Sequence, residues 1–199
     1  MTDETLTRER ILEAAEAVLR RFGPAKTTVV DVARALGVSH GSIYRHFPSK
    51  AALHDAVAEH WLTEKLVPLT TIANEDGPAP ERLRHWLNLL CSMQRKYALD
   101  DPELFATYRE LAGEARDVVR AHVDSLAEQI THIIIDGVAQ GEFVTENPFV
   151  SGRAVLTATI RFHDPAHATE WSDPDIDAVF DGVWSLILVG LRPRTIPQE

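Results

Sequence analysis

The chain has 199 residues, 45% of them hydrophobic and 25% charged, with a formal net charge of −10 at pH 7. This composition is ordinary for a globular protein and excludes a disordered or fibrous chain. The N-terminal residues are polar and no apolar run is long enough to span a bilayer, so we expect a cytoplasmic protein. Cys91 is the only cysteine, which excludes an intrachain disulfide and fits a reducing compartment.

The first predicted element is a scaffold helix. Thr7 is a suitable N-cap, and apolar residues then recur at helical spacing as far as Phe22. Gly23 and Pro24 end the helix because neither residue favours its continuation.

Residues 27–50 predict two short helices joined by a tight turn. Thr28 can cap the first helix, with Asp31 in its first turn. Gly37 can adopt the positive φ that a turn between crossed helices requires, and Ser39 caps the second helix. Pro48 ends that helix because the residue before a proline avoids the α conformation. This pattern predicts a helix-turn-helix.

The second helix of this pair has the composition of a groove reader. Its first turn contains His40, Gly41 and Ser42, which are small or polar and allow close approach of the backbone to base edges. Tyr44 and Arg45 follow, with donors at a length that reaches phosphate.

The motif resembles the DNA-binding signature of tetracycline-repressor (TetR) family regulators. The residues that carry the resemblance are Thr28, Val32-Ala33, Gly37-Val38-Ser39, Gly41-Ser42-Ile43-Tyr44, His46-Phe47 and Ser49-Lys50. They cover about the first quarter of the chain and depart mildly from the family pattern at Ser42, where threonine is common, and at Ala51, where an acidic residue is common.

The resemblance implies an all-α fold, with a three-helix helix-turn-helix domain before a helical ligand-binding and dimerisation domain. We expect the DNA-binding domain at residues 1–50, a connecting helix at about 50–70 and the second domain at 75–199. The DNA-binding residues would be Thr27, Thr28, Ser39, His40, Gly41, Ser42, Tyr44, Arg45, His46 and Lys50. The implied function is a repressor that binds an inverted-repeat operator as a homodimer and is released by a small-molecule effector.

The charge is distributed unevenly along the chain. Residues 1–50 carry eight Lys and Arg against six Asp and Glu, a net charge of +2, which leaves −12 for the remainder. Such asymmetry favours one docking orientation on DNA, although charges on helix faces are also simply solvated.

Helical periodicity continues through the rest of the chain. Turn-forming residues at 74–80 predict a linker, and the pattern then predicts helices over 80–97, 102–113, 119–138, 148–162 and 174–191. The connecting helix is expected to reach towards Pro68.

The last two helices are apolar on more than one face. Such helices need a second apolar cover, which a symmetry copy could supply as a four-helix interface. The predicted interface residues are Val155, Val179, Phe180, Val183, Trp184 and Ile187. The alternative is a pair of core helices in a monomer.

The family resemblance also implies an effector site in the second domain. The candidate lining residues are Trp86, Leu90, Met93, Tyr97, Phe105, Tyr108, His122, Leu126 and Phe162. They would favour a small apolar or amphipathic molecule, although each is also an ordinary core residue of a helical bundle.

No catalytic motif is present, so we predict neither an enzyme nor a cofactor. His163, Asp164 and His167 form the nearest candidate for a metal site, but Pro165 disturbs helical spacing and no third ligand is evident, so no metal is predicted and an inducer contact is favoured over one. Two other functions stay open: an effector-independent DNA-binding protein or co-regulator with a protein partner, and an enzymatic or small-molecule-binding bundle with a vestigial N-terminal domain.

Overall fold

The computed structural model describes residues 6–193, and all their regular secondary structure is helical. The α-helices are α1 (Arg8–Lys26), α2 (Val29–Leu36), α3 (His40–Tyr44), α4 (Lys50–Ala73), α5 (Ala79–Asp100), α6 (Pro102–Glu114), α7 (Arg116–Ala139), α8 (Pro148–Ala158) and α9 (Ile176–Leu191). Two 3₁₀ helices lie between α8 and α9, at Ile160–Phe162 and Pro165–Glu170. The predicted all-α class is confirmed. Over the same residues every helix is too short or too polar to cross a membrane.

The chain forms two compact units. Among the described residues, 6–64 and 101–122 belong to the first unit, and 65–100 and 123–193 belong to the second. The division at residues 1–50 and 75–199 stays a prediction, and its outermost residues, 1–5 and 194–199, lie outside the described part.

The first unit is built around α1, which packs against α2 and α6. Ile11 and Leu19 from α1 are fully buried, as is Val32 from α2. The backbone of α1 leaves the helical conformation at Gly23, where φ is +74°, so the predicted interruption is present although helical turns resume as far as Lys26. Asp101, the N-cap of α6, forms an ion pair with Arg20 and so ties α6 to α1.

The second unit buries one continuous apolar cluster. Its large members include Leu69, Leu83, Trp86, Ile130, Phe143 and Phe180. A buried Arg82 guanidinium connects the linker after α4 to α7, because it donates to the Glu75 carbonyl at 2.6 Å and to Asp136 Oδ2 at 2.8 Å. The positive charge of Arg82 is therefore buried together with hydrogen-bond acceptors and an opposite charge.

Two predicted helix ends differ in the structure. α4 continues through Pro68 to Ala73, although an interior proline costs a helix about 3 kcal/mol, because Leu69 and Ile72 beyond it are buried in the core cluster. α8 stops at Ala158 instead of reaching Phe162. There the Thr159 hydroxyl donates to the Val155 carbonyl at 3.0 Å and lies 3.2 Å from the Leu156 carbonyl, and a tighter 3₁₀ turn follows.

The start of the last helix also differs. The sequence predicts that Asp173 and Pro174 open it, but α9 begins at Ile176. Asp173 instead closes a local turn, in which its Oδ1 accepts from the Asp175 amide at 2.9 Å and its carbonyl accepts from the Ile176 amide at 3.1 Å. A local Asx turn therefore stands where the sequence predicts the first turn of α9.

Gly152 allows α8 to approach α7 closely, which generates a stability prediction. A Cβ at Gly152 would lie 2.3 Å from Thr131 Oγ1 and 3.1 Å from the Ala127 carbonyl. We expect Gly152→Ala to lower the free energy of unfolding by roughly 1–3 kcal/mol, measured by urea denaturation. Gly113→Ala is the matched control, because a Cβ there meets nothing within 4 Å. Equal stability of the two variants would contradict this account of the contact.

Candidate nucleic-acid interface

A reciprocal cap fixes the start of α2. The Thr28 hydroxyl accepts from the Asp31 amide at 3.2 Å, and Asp31 Oδ2 accepts from the Thr28 amide at 3.1 Å. Hydrogen bonds from Thr28 lower the pKa of Asp31, with a smaller contribution from Arg34. The predicted cap is therefore present with both of its hydrogen bonds.

The turn between α2 and α3 depends on a left-handed glycine. Gly37 has φ +67° and ψ 27°, and its amide donates to the Arg34 carbonyl at 3.2 Å. The Val38 amide donates back to the Ala33 carbonyl at 3.0 Å. The chain then enters α3 at Ser39, whose hydroxyl accepts from the Ser42 amide at 3.2 Å. These bonds end one helix and orient the next, as the sequence predicts.

α3 presents a polar outer face over a buried anchor. Ile43 is fully buried, whereas Tyr44 is 45% exposed. The rings of His40 and Tyr44 meet edge to face with centroids 6.3 Å apart. Arg45 Nη2 donates to the Ser42 hydroxyl at 3.3 Å. The outer face of α3 thus carries an imidazole, a phenol and a guanidinium, which are groups that contact base edges and phosphates.

Two long-range contacts support the end of α3 and the start of α4. Arg8 Nη1 donates to the His46 carbonyl at 3.4 Å, and its guanidinium lies 4.4 Å from the centre of the Phe47 ring. Lys50 Nζ donates to the Pro24 carbonyl at 2.9 Å. The sequence analysis did not identify Arg8, because no local pattern relates residues 38 positions apart.

The ten predicted DNA-binding residues fall into three groups by exposure. Thr28, Ser39, His40, Gly41, Tyr44 and Arg45 are exposed, and Ser42, His46 and Lys50 are half-buried. Thr27 differs from the rest. It is 1% exposed, and its hydroxyl donates to the Gly23 carbonyl at 2.8 Å inside the first unit.

The nine predicted effector residues are divided between the two units. Phe105, Tyr108 and His122 belong to the first unit, and Trp86, Leu90, Met93, Tyr97, Leu126 and Phe162 belong to the second. Trp86 and Leu90 are buried in the core cluster of the second unit, as are Leu126 and Phe162. The indole of Trp86 donates to Gln129 Oε1 at 2.9 Å, so its polar atom is already satisfied.

The predicted dimer residues lie on both sides of their helices. Val155, Phe180 and Trp184 are buried in the second unit, Val183 and Ile187 are half-buried, and Val179 is 40% exposed. The most exposed apolar side chains of α9 are Leu186 and Val189, each at 75%. A shallow apolar groove of about 320 Å³ lies between α8 and α9 and is lined in part by Ala154, Ala158 and Leu186.

The His163 segment does not converge on a common centre. His163 is buried, and its Nε2 lies 3.4 Å from the Thr159 hydroxyl. His167 Nδ1 is instead 2.7 Å from Glu170 Oε1. Burial lowers the pKa of His163 to about 4, so its imidazole is neutral near pH 7. Across residues 6–193, no three His, Cys, Asp or Glu side chains lie close enough together to hold a metal ion.

A helix-turn-helix with an exposed polar reading helix, on an all-helical chain, defines a DNA-binding regulator. Two family models agree with this class. Residues 11–57 match the model for bacterial regulatory proteins of the tetR family, and residues 79–184, more than half of the chain, match the tetracyclin repressor-like C-terminal domain. The chain belongs to the tetR family of bacterial transcriptional regulators.

Individual relatives have modest identity. The nucleoid occlusion factor SlmA of Idiomarina loihiensis is 29% identical over 151 residues, which cover 75% of this chain and 74% of that protein. SlmA of Vibrio atlanticus is 33% identical over 90 residues, 45% of this chain and 46% of its own length, so the chain spans about half of that relative. The transcriptional regulator TtgR of Pseudomonas putida is 45% identical over 53 residues, 27% of this chain and 25% of that protein.

Solved structures share the fold. SmeT, the repressor of a Stenotrophomonas maltophilia multidrug efflux pump, aligns with a TM-score of 0.69 at 18% identity over 98% of this chain and 96% of its own. FadR from Bacillus subtilis, solved with stearoyl-CoA, aligns with a TM-score of 0.60 at 18% identity over 92% of this chain and 99% of its own. The predicted family and overall architecture are therefore confirmed.

The buried His163 predicts a pH-dependent stability. Its folded pKa of about 4 lies below the ordinary value of about 6.5, so the unfolded state binds more protons between these pH values. Stability is expected to fall by up to about 3 kcal/mol as pH drops through that range. Urea unfolding from pH 4.5 to 8 should show a shallower dependence for His163→Gln than for wild type.

His167→Gln serves as the control, because it removes a nearby histidine whose side chain, like that of its partner Glu170, is partly exposed to solvent. Burial also lowers the pKa of His54, but that residue is present in all three proteins and cancels in the comparison. If stability falls equally with pH in wild type and His163→Gln, the pH dependence does not come from His163.

Proposed function

We propose that the protein is a ligand-responsive repressor that binds an inverted-repeat operator as a homodimer. The observation that carries the proposal is the exposed face of α3, held by the Gly37 turn and the Ser39 cap. Each subunit would insert α3 into a major groove, with half-sites about one helical turn or more apart. Because chromosomal DNA is the proposed target, we place the protein in the cytoplasm. We assign it no catalytic role or cofactor, since its sequence contains no catalytic motif.

Base readout and phosphate contact are assigned to different residues. His40, Gly41, Ser42 and Arg45 would meet base edges, where short side chains and a guanidinium can follow the donor and acceptor pattern. Thr28, Ser39, Tyr44, His46 and Lys50 would position the domain on phosphates. One of the three N–H donors of the Lys50 ammonium bonds to the Pro24 carbonyl, and the other two could bond to phosphate. Thr27, which is buried, would support this surface from beneath.

The homodimer surface is assigned to the outer sides of α8 and α9. Leu186 and Val189 project from α9, and Phe149 and Val150 near the start of α8 are 68% and 63% exposed. Clustered exposed apolar side chains on helices favour burial against another subunit. A second copy of this chain is the proposed occupant. Of the residues predicted from the sequence, Val179, Val183 and Ile187 would border the contact. The buried Val155, Phe180 and Trp184 would maintain its shape.

An apolar or amphipathic small molecule is the proposed effector. SmeT has been solved with triclosan, which is largely apolar, and the Bacillus subtilis FadR with stearoyl-CoA, which joins an apolar acyl chain to a polar, anionic coenzyme A group. The aromatic and aliphatic residues predicted for this role in each unit suit such a molecule. Release from DNA requires that the effector favour a dimer geometry that no longer fits the operator.

The second candidate function is effector-independent DNA binding with a protein partner. It is favoured by one observation, the similarity to proteins named nucleoid occlusion factors. An effector screen separates the two functions, since only the first predicts a small molecule that lowers DNA affinity.

Tyr44 provides the test of the DNA interface. We expect Tyr44→Ala to weaken binding about tenfold, because an exposed phenol that donates to phosphate would be lost. The measurement is fluorescence anisotropy with DNA from immediately upstream of the protein's own gene, at two salt concentrations. Scrambled DNA controls for nonspecific attraction.

Val144→Ala is the control variant, because Val144 is 58% exposed but lies in the second unit. Unchanged affinity in Tyr44→Ala would remove Tyr44 from the interface. Equal, salt-sensitive binding of wild type to both DNAs would contradict the regulator itself.

Leu186 provides the test of the dimer surface. We expect Leu186→Glu to convert the dimer to a monomer in sedimentation velocity at micromolar concentration, because a carboxylate would be buried against the partner subunit. Leu99→Glu is a matched control, since Leu99 on α5 is 79% exposed against 75% for Leu186. A dimer that survives Leu186→Glu would place the interface elsewhere.

A further inference from the structure

The first unit contains a buried hydrogen-bond donor without a partner. Trp61 on α4 is 5% exposed, and among the described residues no acceptor lies within hydrogen-bond reach of its Nε1. An indole N–H can only donate, so it cannot be satisfied in any other way. Burial of such a group costs free energy, and in native structures an unpaired buried donor calls for a specific explanation.

The surroundings of Trp61 are aromatic. The ring of Tyr108 on α6 lies 6.1 Å from that of Trp61, at an interplanar angle of 61°. Phe105, also on α6, lies 6.5 Å from Tyr108. All three residues are buried in the first unit. A binding partner for Trp61 would therefore contact flat apolar surfaces and one donor, a combination typical of small-molecule sites.

The nearby polar groups disfavour an anionic partner. His54 lies two helical turns before Trp61 on the same face of α4, and its Nδ1 is 3.4 Å from Glu114 Oε2. Burial lowers the pKa of His54, with Lys50 acting in the same direction and Glu114 and Asp55 opposing it. The imidazole is therefore neutral near pH 7 and gives an anion no counter-charge, while Glu114 repels one.

The position of Trp61 connects it to the DNA-reading elements. α4 begins at Lys50, about 16 Å before Trp61 along the axis of α4. The Lys50 side chain donates to the Pro24 carbonyl near the end of α1. α6 is tied to α1 by the ion pair between Asp101 and Arg20. A molecule that enters between the rings of Trp61 and Tyr108 must move α6 relative to α4. Both helices contact α1, so the movement would disturb the base of the helix-turn-helix.

We propose that the effector is a largely aromatic molecule without negative charge whose oxygen acceptor binds Trp61 Nε1, while its ring packs against Tyr108 and Phe105. The proposal rests on the proposed ligand-responsive function and adds the polar anchor and the chemical class. Trp61 is then a specificity-determining residue. Molecules of similar shape that lack the acceptor bind more weakly because the donor stays unpaired.

A matched pair of probes tests the hydrogen bond. Benzophenone has two rings and a carbonyl oxygen, and diphenylmethane has the same rings around a methylene group. Isothermal titration calorimetry on the full chain should show about tenfold tighter binding of benzophenone to wild type. Trp61→Phe keeps an aromatic ring but removes the N–H, so the preference between the two probes should disappear.

Trp184→Phe is the control, since Trp184 is equally buried at 5% exposure but lies in the second unit, and it should keep the wild-type preference. Operator binding by wild type without probe is measured in parallel. A preference for benzophenone that persists in Trp61→Phe overturns the proposal, as does the failure of both probes to bind wild type. If wild type does not bind its operator, the regulator function fails independently of this result. Destabilisation of Trp61→Phe with an unchanged preference would show that the N–H has a structural role only.

Discussion

The left-handed conformation of Gly37 is the constraint on which the DNA-reading surface depends. A φ of +67° reverses the chain between α2 and α3 within one residue, and side chains with a Cβ rarely adopt it. Apart from Gly37 and its two chain neighbours, no described residue has an atom within 4 Å of the position that a Cβ at Gly37 would occupy. The requirement for glycine is therefore one of backbone conformation and not of space. The caps at Thr28 and Ser39 act on this fixed turn, and they orient α3 so that Ile43 is buried beneath an exposed Tyr44.

The features that the sequence predicted well are those whose partners lie within four residues. Caps, glycine turns and apolar periodicity are local, so the residues that form them can be recognised by their spacing. The bonds from Arg8 to His46 and from Lys50 to Pro24 span 38 and 26 residues. No spacing rule relates such pairs. The sequence therefore predicted the outer face of α3 but not the side chains that hold its far end.

Two adjacent threonines show the limit of reading a site from a motif. Thr27 and Thr28 have the same chemistry, and the family resemblance implies that one or both contact phosphate. In the structure, Thr28 caps α2 at the surface, whereas the Thr27 hydroxyl bonds to the Gly23 carbonyl inside the unit. The directions of these two side chains depend on how the backbone of α1 is interrupted at Gly23, and that depends on packing across α1, α2 and α6. Two threonines one position apart therefore differ in location, with Thr27 in the interior and Thr28 at the surface.

Buried polar atoms distinguish scaffold from candidate sites in this molecule. The Arg82 guanidinium bonds to two backbone carbonyls and to Asp136, and the Trp86 indole bonds to Gln129, so these side chains serve the fold. Trp61 has the same indole and a similar burial but no acceptor among the residues described. Folding alone does not explain why that donor is buried unpaired, since phenylalanine would also bury an aromatic ring without this cost. The difference between Trp86 and Trp61 is therefore evidence about binding, which neither hydrophobic periodicity nor burial could supply.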